Sequence, residues 1–397
     1  MPTVLAASPG ERLRTLRELL GLTQAQLSKM SGVGASWISE VENGYKEHDD
    51  AKLQMISDAT ETPFGFFYVQ PKSVPLDSLR FRKLASAKRS VTKRVHAFYS
   101  ESYRVAEDML TSERYPTPPL PYATADEVTD EEIEKLAEET RQALRLAPDL
   151  PIPHLTRALE RGGIAVAPIV LNDPAGGEEQ ATSNHFGVSY WGGLGDAALI
   201  GYFPGSHGDR DRFTLAHEVG HLVLHTFRPR VGDPEGEANK FASALLVPRE
   251  RAVEAISERM TLNEYARLKA NWGVSIQSLI MRGAAVGVID ETRKRSLYVQ
   301  LSQRGWRKQE PVHVGQEEPL LLWTLLTRQF GIKPYVPASE KLAIPPAVLR
   351  SIAPTPEKDR MGSPYPSSTH VGAGQQNVVD FRSRKPRSNL DVPRMVQ

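Results

Sequence analysis

Two histidines four residues apart, His217 and His221, enclose a glutamate, Glu218. On a helix the two imidazoles share a face and can grip one metal ion, while Glu218 can reach a water beside it. That is the chemistry of metal-assisted hydrolysis. The bare pattern turns up by chance in on the order of a few per cent of chains this long, so its surroundings must carry weight. They read as an amphipathic helix over 213–226. Leu215, Val219, Leu222 and Val223 fall on one side, and Thr214, His217, Glu218, His221 and His225 on the other. Asp209 and Asp211 just ahead offer N-caps. The plain alternative is a helix with solvent-facing His and Glu.

A catalytic zinc keeps three protein ligands and one open position. His225 stands eight residues past His217, about 12 Å along a straight helix, too far to share its metal. A supporting or substrate contact, or plain packing at a helix end, is left for it. A better third ligand comes from 233–248. Asp233 reads as N-cap and Pro234 as the first helical residue; Ala238, Phe241, Ala242 and Leu245 form an apolar stripe, and Pro248 marks the end. Glu235 and Asn239 share a face of this helix. Glu235 can complete a His-His-Glu set, with Asn239 hydrogen-bonding one of the ligands. Glu237 is the runner-up ligand. The bland account of Glu235 is an acid favoured by the helix dipole.

Residues 212–225 and 235–248 resemble the ImmA/IrrE family of metallopeptidases. The likeness continues through 262–289, by way of Trp272, Gly273, Val274 and Ser275, to about residue 311. Upstream it reaches 155–166, so it covers about half of the chain. The resemblance implies an α+β chain with a compact thermolysin-like (zincin) domain of small sheet and HExxH helix. It implies His217, His221 and Glu235 as zinc ligands, with manganese the alternative ion, and Glu218 as the catalytic residue. Known members cleave helix-turn-helix repressors. A metal held there would polarise the scissile carbonyl, and Glu218 would carry the proton from water to the leaving amine. His185, Tyr202, His207 and His225 are the oxyanion candidates by chemistry. Strand-like runs at 164–170, 185–191 and 197–203 offer an edge to an extended substrate.

The first 71 residues form a second module. Leu13, Leu16, Leu19 and Leu20 give an amphipathic helix; 22–32 reads as a second, Val33 and Gly34 as a turn, and 35–44 as a third closed by Asn43 and Gly44. Leu22, Thr23 and Gln24, with 38–44, resemble the all-α Xre-type helix-turn-helix. That likeness places the third helix in the major groove. Ser36, Trp37 and Ser39 would face bases or phosphates, Asn43 would close the reading helix, and Gln24 would meet the backbone.

Charge complicates that expectation. Residues 1–71 hold 6 Lys+Arg against 9 Asp+Glu, and DNA affinity rests largely on neutralised phosphates. Residues 72–94 hold 8 Lys+Arg against one Asp, with Arg80, Arg82, Lys83, Lys88, Arg89, Lys93 and Arg94 close together. This run can supply the phosphate contacts, form a solvated face, or brace the two modules.

The chain therefore divides into a helix-turn-helix (1–71), a basic helical segment with a Pro-rich linker (72–125), the peptidase-like domain (126–311), an extension (312–353) and a disordered tail (354–397) with a basic patch at 382–387. Net charge is +1 and cysteine is absent, so no thiolate metal site exists. No apolar run reaches membrane-span length, and a cytoplasmic location is expected. The reading is a zinc endopeptidase of transcriptional regulation that cuts a helix-turn-helix repressor, either a separate one or itself, and uses its own module for targeting. Expected partners are double-stranded DNA and a repressor or antitoxin-type protein, with a homodimer as a further arrangement. The alternative is a DNA-binding regulator or antitoxin whose zinc domain senses or docks without proteolysis.

Overall fold

The computed structural model describes residues 8–72, 74, 89–171, 187–205, 207–228, 231–360 and 378–379. Helices α1 (Pro9–Leu19), α2 (Gln24–Ser31), α3 (Ala35–Glu42) and α4 (Asp50–Ala59) open the chain, followed by a 3₁₀ turn at Phe64–Phe67. Local chemistry sets their ends. Ser8 with Glu11, and Thr23 with Gln26, form capping boxes, while Gly32 takes the left-handed conformation that stops α2. Leu13, Leu16, Leu27, Ile38, Leu53 and Phe66 fill the space between them.

Helix α5 (Arg89–Ser112) comes next, then α6 (Asp130–Ala143), α7 (Leu155–Arg161) and strands β1 (Ile164–Pro168), β2 (Gly187–Trp191) and β3 (Ala198–Tyr202). Helices α8 (Gly208–His225) and α9 (Pro234–Leu246) carry the polar cluster. Around them lie α10 (Arg249–Ala255), α11 (Leu262–Trp272), α12 (Ile276–Ala285) and α13 (Glu291–Gln303). The chain continues through β4 (His313–Val314), α14 (Leu321–Phe330), α15 (Tyr335–Leu342), α16 (Pro346–Ile352), α17 (Glu357–Arg360) and β5 (Val378–Val379), which pairs with β4.

The three strands run in the order β1-β3-β2, with β1 parallel and β2 antiparallel to β3. Alternate residues serve two different cores, because successive strand side chains point to opposite faces. Ala165, Ala167 and Leu199 join the first helices, α5 and α14 to α16. Ile164, Val166 and Ile200 join α6 to α13. The sheet is thus covered on both faces, which explains the unbroken apolar runs that mark these strands.

Two expected boundaries dissolve. Residues 89–112, within the basic helical segment, form α5, which lies between α1 and the sheet with Phe98, Tyr99 and Val105 buried. The proline-rich stretch 115–121 is a packed strap, whose Tyr115 hydroxyl donates to the carbonyl of Glu160 at 3.1 Å. The extension at 312–353 is also integral. Glu317 accepts from the free N–H groups of Leu155 and Thr156 at the start of α7, while Glu160 on α7 accepts from Leu320 and Leu321 at the start of α14. Most of the expected tail, and the basic positions 80–88, lie outside the described residues.

Candidate metal centre and DNA-reading helix

Helix α8 forms because 208–225 carries no proline and keeps apolar residues at helical spacing. Its N-cap is His207, and Asp209 and Asp211 fall inside the first turn instead of capping it. The expected start of α9 is found as read: Asp233 caps through Gly236 N–H, and Pro234 is the first helical residue. The two helices pack closely because Gly220 has no side chain; a Cβ there would sit 3.1 Å from Ala238 Cα.

This contact brings His217, His221 and Glu235 together, with ligand atoms all within 4.8 Å of one another. The Nε2 atoms of the two histidines lie 3.0 Å apart, and each is 3.4 Å from one Glu235 oxygen. Burial works against a charged Glu235, whereas a proton on either facing Nε2 would donate to its carboxyl and hold it below the usual range.

The far nitrogens are engaged. His217 Nδ1 lies 3.0 Å from Asn239 Oδ1, which can only accept, so that ring carries its proton on Nδ1. His221 Nδ1 is 2.8 Å from His225 Nδ1, and His225 Nε2 is 3.1 Å from Glu237. With His225 protonated at Nε2, its Nδ1 accepts from His221. Both Nε2 lone pairs then face Glu235. Three acceptors converge with no donor between them, and Glu235 Oε2 is buried without a hydrogen-bond partner. This donor set fits a divalent cation of the zinc or manganese type.

Glu237, the runner-up ligand, is corrected by this geometry. It accepts from Arg228 at 2.7 Å and holds His225, which places it behind the ligands. Sequence spacing could have revealed the chain, since His221 and His225 are themselves four apart.

Glu218 is 2 % exposed and lies beneath β2. The Ser189 hydroxyl donates to its Oε2 at 2.6 Å. A Cβ on Gly187 would meet Glu218 Oε1 at 2.5 Å, so only glycine lets the strand come this close. Burial raises the Glu218 carboxyl; the histidines and Ser189 pull it partly back. Neither Ser189 nor Gly187 was singled out by the sequence, because nothing local connects β2 to α8.

The oxyanion candidates fare poorly. Tyr202 sits among the carboxylates of Asp211, Glu317 and Glu160. His207 is at the N-cap of α8 beside His313, and His225 is committed to His221. His185 lies outside the described residues.

In the helix-turn-helix, Ser36 and Asn43 are exposed and Ser39 is partly so. Trp37 is corrected: it is 7 % exposed and packs inward, with Lys52 over its ring at 5.1 Å. Its neighbour in the helical repeat, Val41, is buried with it, so the indole belongs to the core stripe. Gln24 donates to Glu42 at 2.9 Å, and Arg17 pairs with the same carboxylate at 2.6 Å. Asn43 donates to the carbonyl of Ser39 and accepts from Arg14. Of the basic run, Lys93 pairs with Glu18, and Arg94 is buried. Among the described residues no helix is long and apolar enough to cross a membrane.

Two family models match the chain. A peptidase model described as IrrE N-terminal-like domain matches residues 182–282, and one described as helix-turn-helix matches residues 13–67. No curated protein matches it.

Proposed function

We propose that this chain, which joins a helix-turn-helix domain to an IrrE-like peptidase-family domain, is a metal-dependent endopeptidase of transcriptional regulation. Its substrate is a helix-turn-helix repressor or antitoxin-type protein, either a separate chain or this chain itself. The observation that carries this reading is the convergence of His217, His221 and Glu235 next to a buried glutamate under an edge strand.

His217, His221 and Glu235 would hold the ion, with zinc favoured by the two imidazoles and one carboxylate. A bound zinc polarises a carbonyl and makes water a better nucleophile. Glu218 accepts a proton on its carboxylate and passes it to the departing amine. Ser189 fixes which oxygen is free to do so, because its hydroxyl occupies Oε2. Strand β2 pairs only with β3 among the described residues, and its other edge can accept an extended peptide. The DNA-binding domain concentrates the enzyme where repressors sit, with Ser36, Ser39 and Asn43 at the duplex.

The test is Glu218→Gln. The variant should bind one metal per chain as tightly as wild type, yet lose about 10²–10⁴-fold in cleavage of a co-encoded repressor. If it relieves repression as well as wild type, proteolysis is not the output, and the metal domain acts as a sensor or docking surface.

A further inference from the structure

Where the two cores meet, the chain forms an open cavity of about 680 Å³. Small-molecule sites typically occupy roughly 300–1,000 Å³. Its walls come from at least five elements of the molecule. Leu19 and Leu20 belong to the end of α1, Phe98 to α5, Tyr202 to β3 and Asp211 to α8, while Val348 belongs to α16. Most of this lining is apolar.

The polar contribution is specific. Tyr202 is 6 % exposed, and its hydroxyl makes no hydrogen bond among the described residues. A buried tyrosine hydroxyl ordinarily finds a partner. Asp211 is 8 % exposed. Its Oδ1 accepts from the backbone N–H of Gly205 at 2.9 Å, and its Oδ2 has no hydrogen bond among the described residues. Burial lifts the Asp211 carboxyl to about 6, with Asp209 and Glu317 adding to the rise. Glu317 itself is consumed by Arg212, His154 and two backbone N–H groups. Arg94 and Arg350 also line the cavity; Arg94 is buried and has a partner of its own, and the Arg350 guanidinium lies over the Tyr335 ring at 5.4 Å. An acid with one oxygen open to the cavity, next to a hydroxyl without a hydrogen bond among the described residues, suits a charged donor.

We propose that this cavity binds a small primary amine with an apolar body, the ammonium donating to Asp211 with Tyr202 as second polar contact, and the body on Phe98 and Leu20. The occupant touches the last turn of α1 and the first turn of α8. It therefore contacts both the domain that reads DNA and the helix that carries His217 and His221. A ligand that prefers one spacing of these helices shifts both together. The site stands apart from peptide hydrolysis, and its test does not depend on turnover.

Dansylcadaverine, a fluorescent primary amine, is the probe, titrated into the full chain. One saturable site per chain with enhanced emission is expected. Asp211→Asn keeps the acceptor for Gly205 N–H and should weaken binding at least tenfold without loss of thermal stability. Ala347, on the exposed side of the cavity, provides a second variant: Ala347→Trp should abolish binding by filling the space. No saturable binding to wild type overturns the proposal. So does equal binding by the N-acetylated probe, tighter binding by the anion anilinonaphthalene sulfonate, or binding that survives both variants.

Discussion

At the scale of single residues, the centre depends on which nitrogen of each imidazole is free. A histidine ligates through one nitrogen only if the other holds the proton, and a hydrogen bond decides that. Asn239 does this for His217, and His225, held by Glu237 and Arg228, does it for His221. Replacing His225 with alanine should lower metal affinity about 10–100-fold, read by competition against a chromogenic chelator. Unchanged affinity would mean that His225 only fills space. Asn239 was legible because its four-residue offset from Glu235 is a property of one helix. His225 was harder. Its distance from His217 keeps it out of the ligand set, but its partner His221 lies one turn nearer, and Glu237 arrives from another helix.

Elements add what spacing cannot express. The sequence marks the three strands by apolar character and α9 by its Asp-Pro start, and both readings hold. It says nothing about which residue of β2 lies over α8, since that register depends on a β3 pairing and a packing angle remote in sequence. The close approach at Gly187 is the outcome. Its backbone angle is one that any residue adopts, so the constraint is space alone. Gly187→Ala should push Glu218 or the strand aside. We expect turnover to fall at least tenfold, the loss of positioning being worth about 1.4 kcal/mol or more, with metal content unchanged. Wild-type turnover in that variant would show that strand and glutamate move independently. Trp37 gives the opposite lesson. The resemblance to DNA-reading helices set it facing the groove, yet the same helix needs a large side chain inside, and burial of an indole outweighs a surface role.

For the whole molecule the decisive feature is how the DNA-binding domain is attached. Arg12 on α1 and Arg104 on α5 share the Glu101 carboxylate, all three buried, and Arg104 also donates to the carbonyls of Leu342 and Ala343. The two guanidiniums hold Glu101 below its usual range against the effect of burial. Such a triad fixes an arrangement more than it adds stability, because desolvation offsets much of the attraction. Sequence reading placed a basic helical segment here, with bracing among its roles, but charge counts do not reveal that α5 is amphipathic over six turns and covered on both sides.

That arrangement also redistributes the charge available to DNA. Lys93 pairs with Glu18, Lys72 pairs with Glu107 and Arg94 is inside the protein, so if the basic run meets phosphates, Arg80, Arg82, Lys83, Lys88 and Arg89 are its remaining basic residues. Because the helix-turn-helix itself holds 6 Lys+Arg against 9 Asp+Glu, such contacts would carry most of the electrostatic affinity. Each phosphate contact contributes about 0.9 to the slope of log affinity against log salt on duplex DNA. Replacing Arg80 and Arg82 with alanine should therefore flatten that slope by nearly 2 and weaken binding to all sequences alike. Replacing Ser36 and Ser39 should instead narrow the gap between specific and random duplex with the slope kept. A salt slope indifferent to Arg80 and Arg82 would assign the basic run to bracing the two domains, and would leave the helix-turn-helix to bind DNA through the exposed residues of α3 alone.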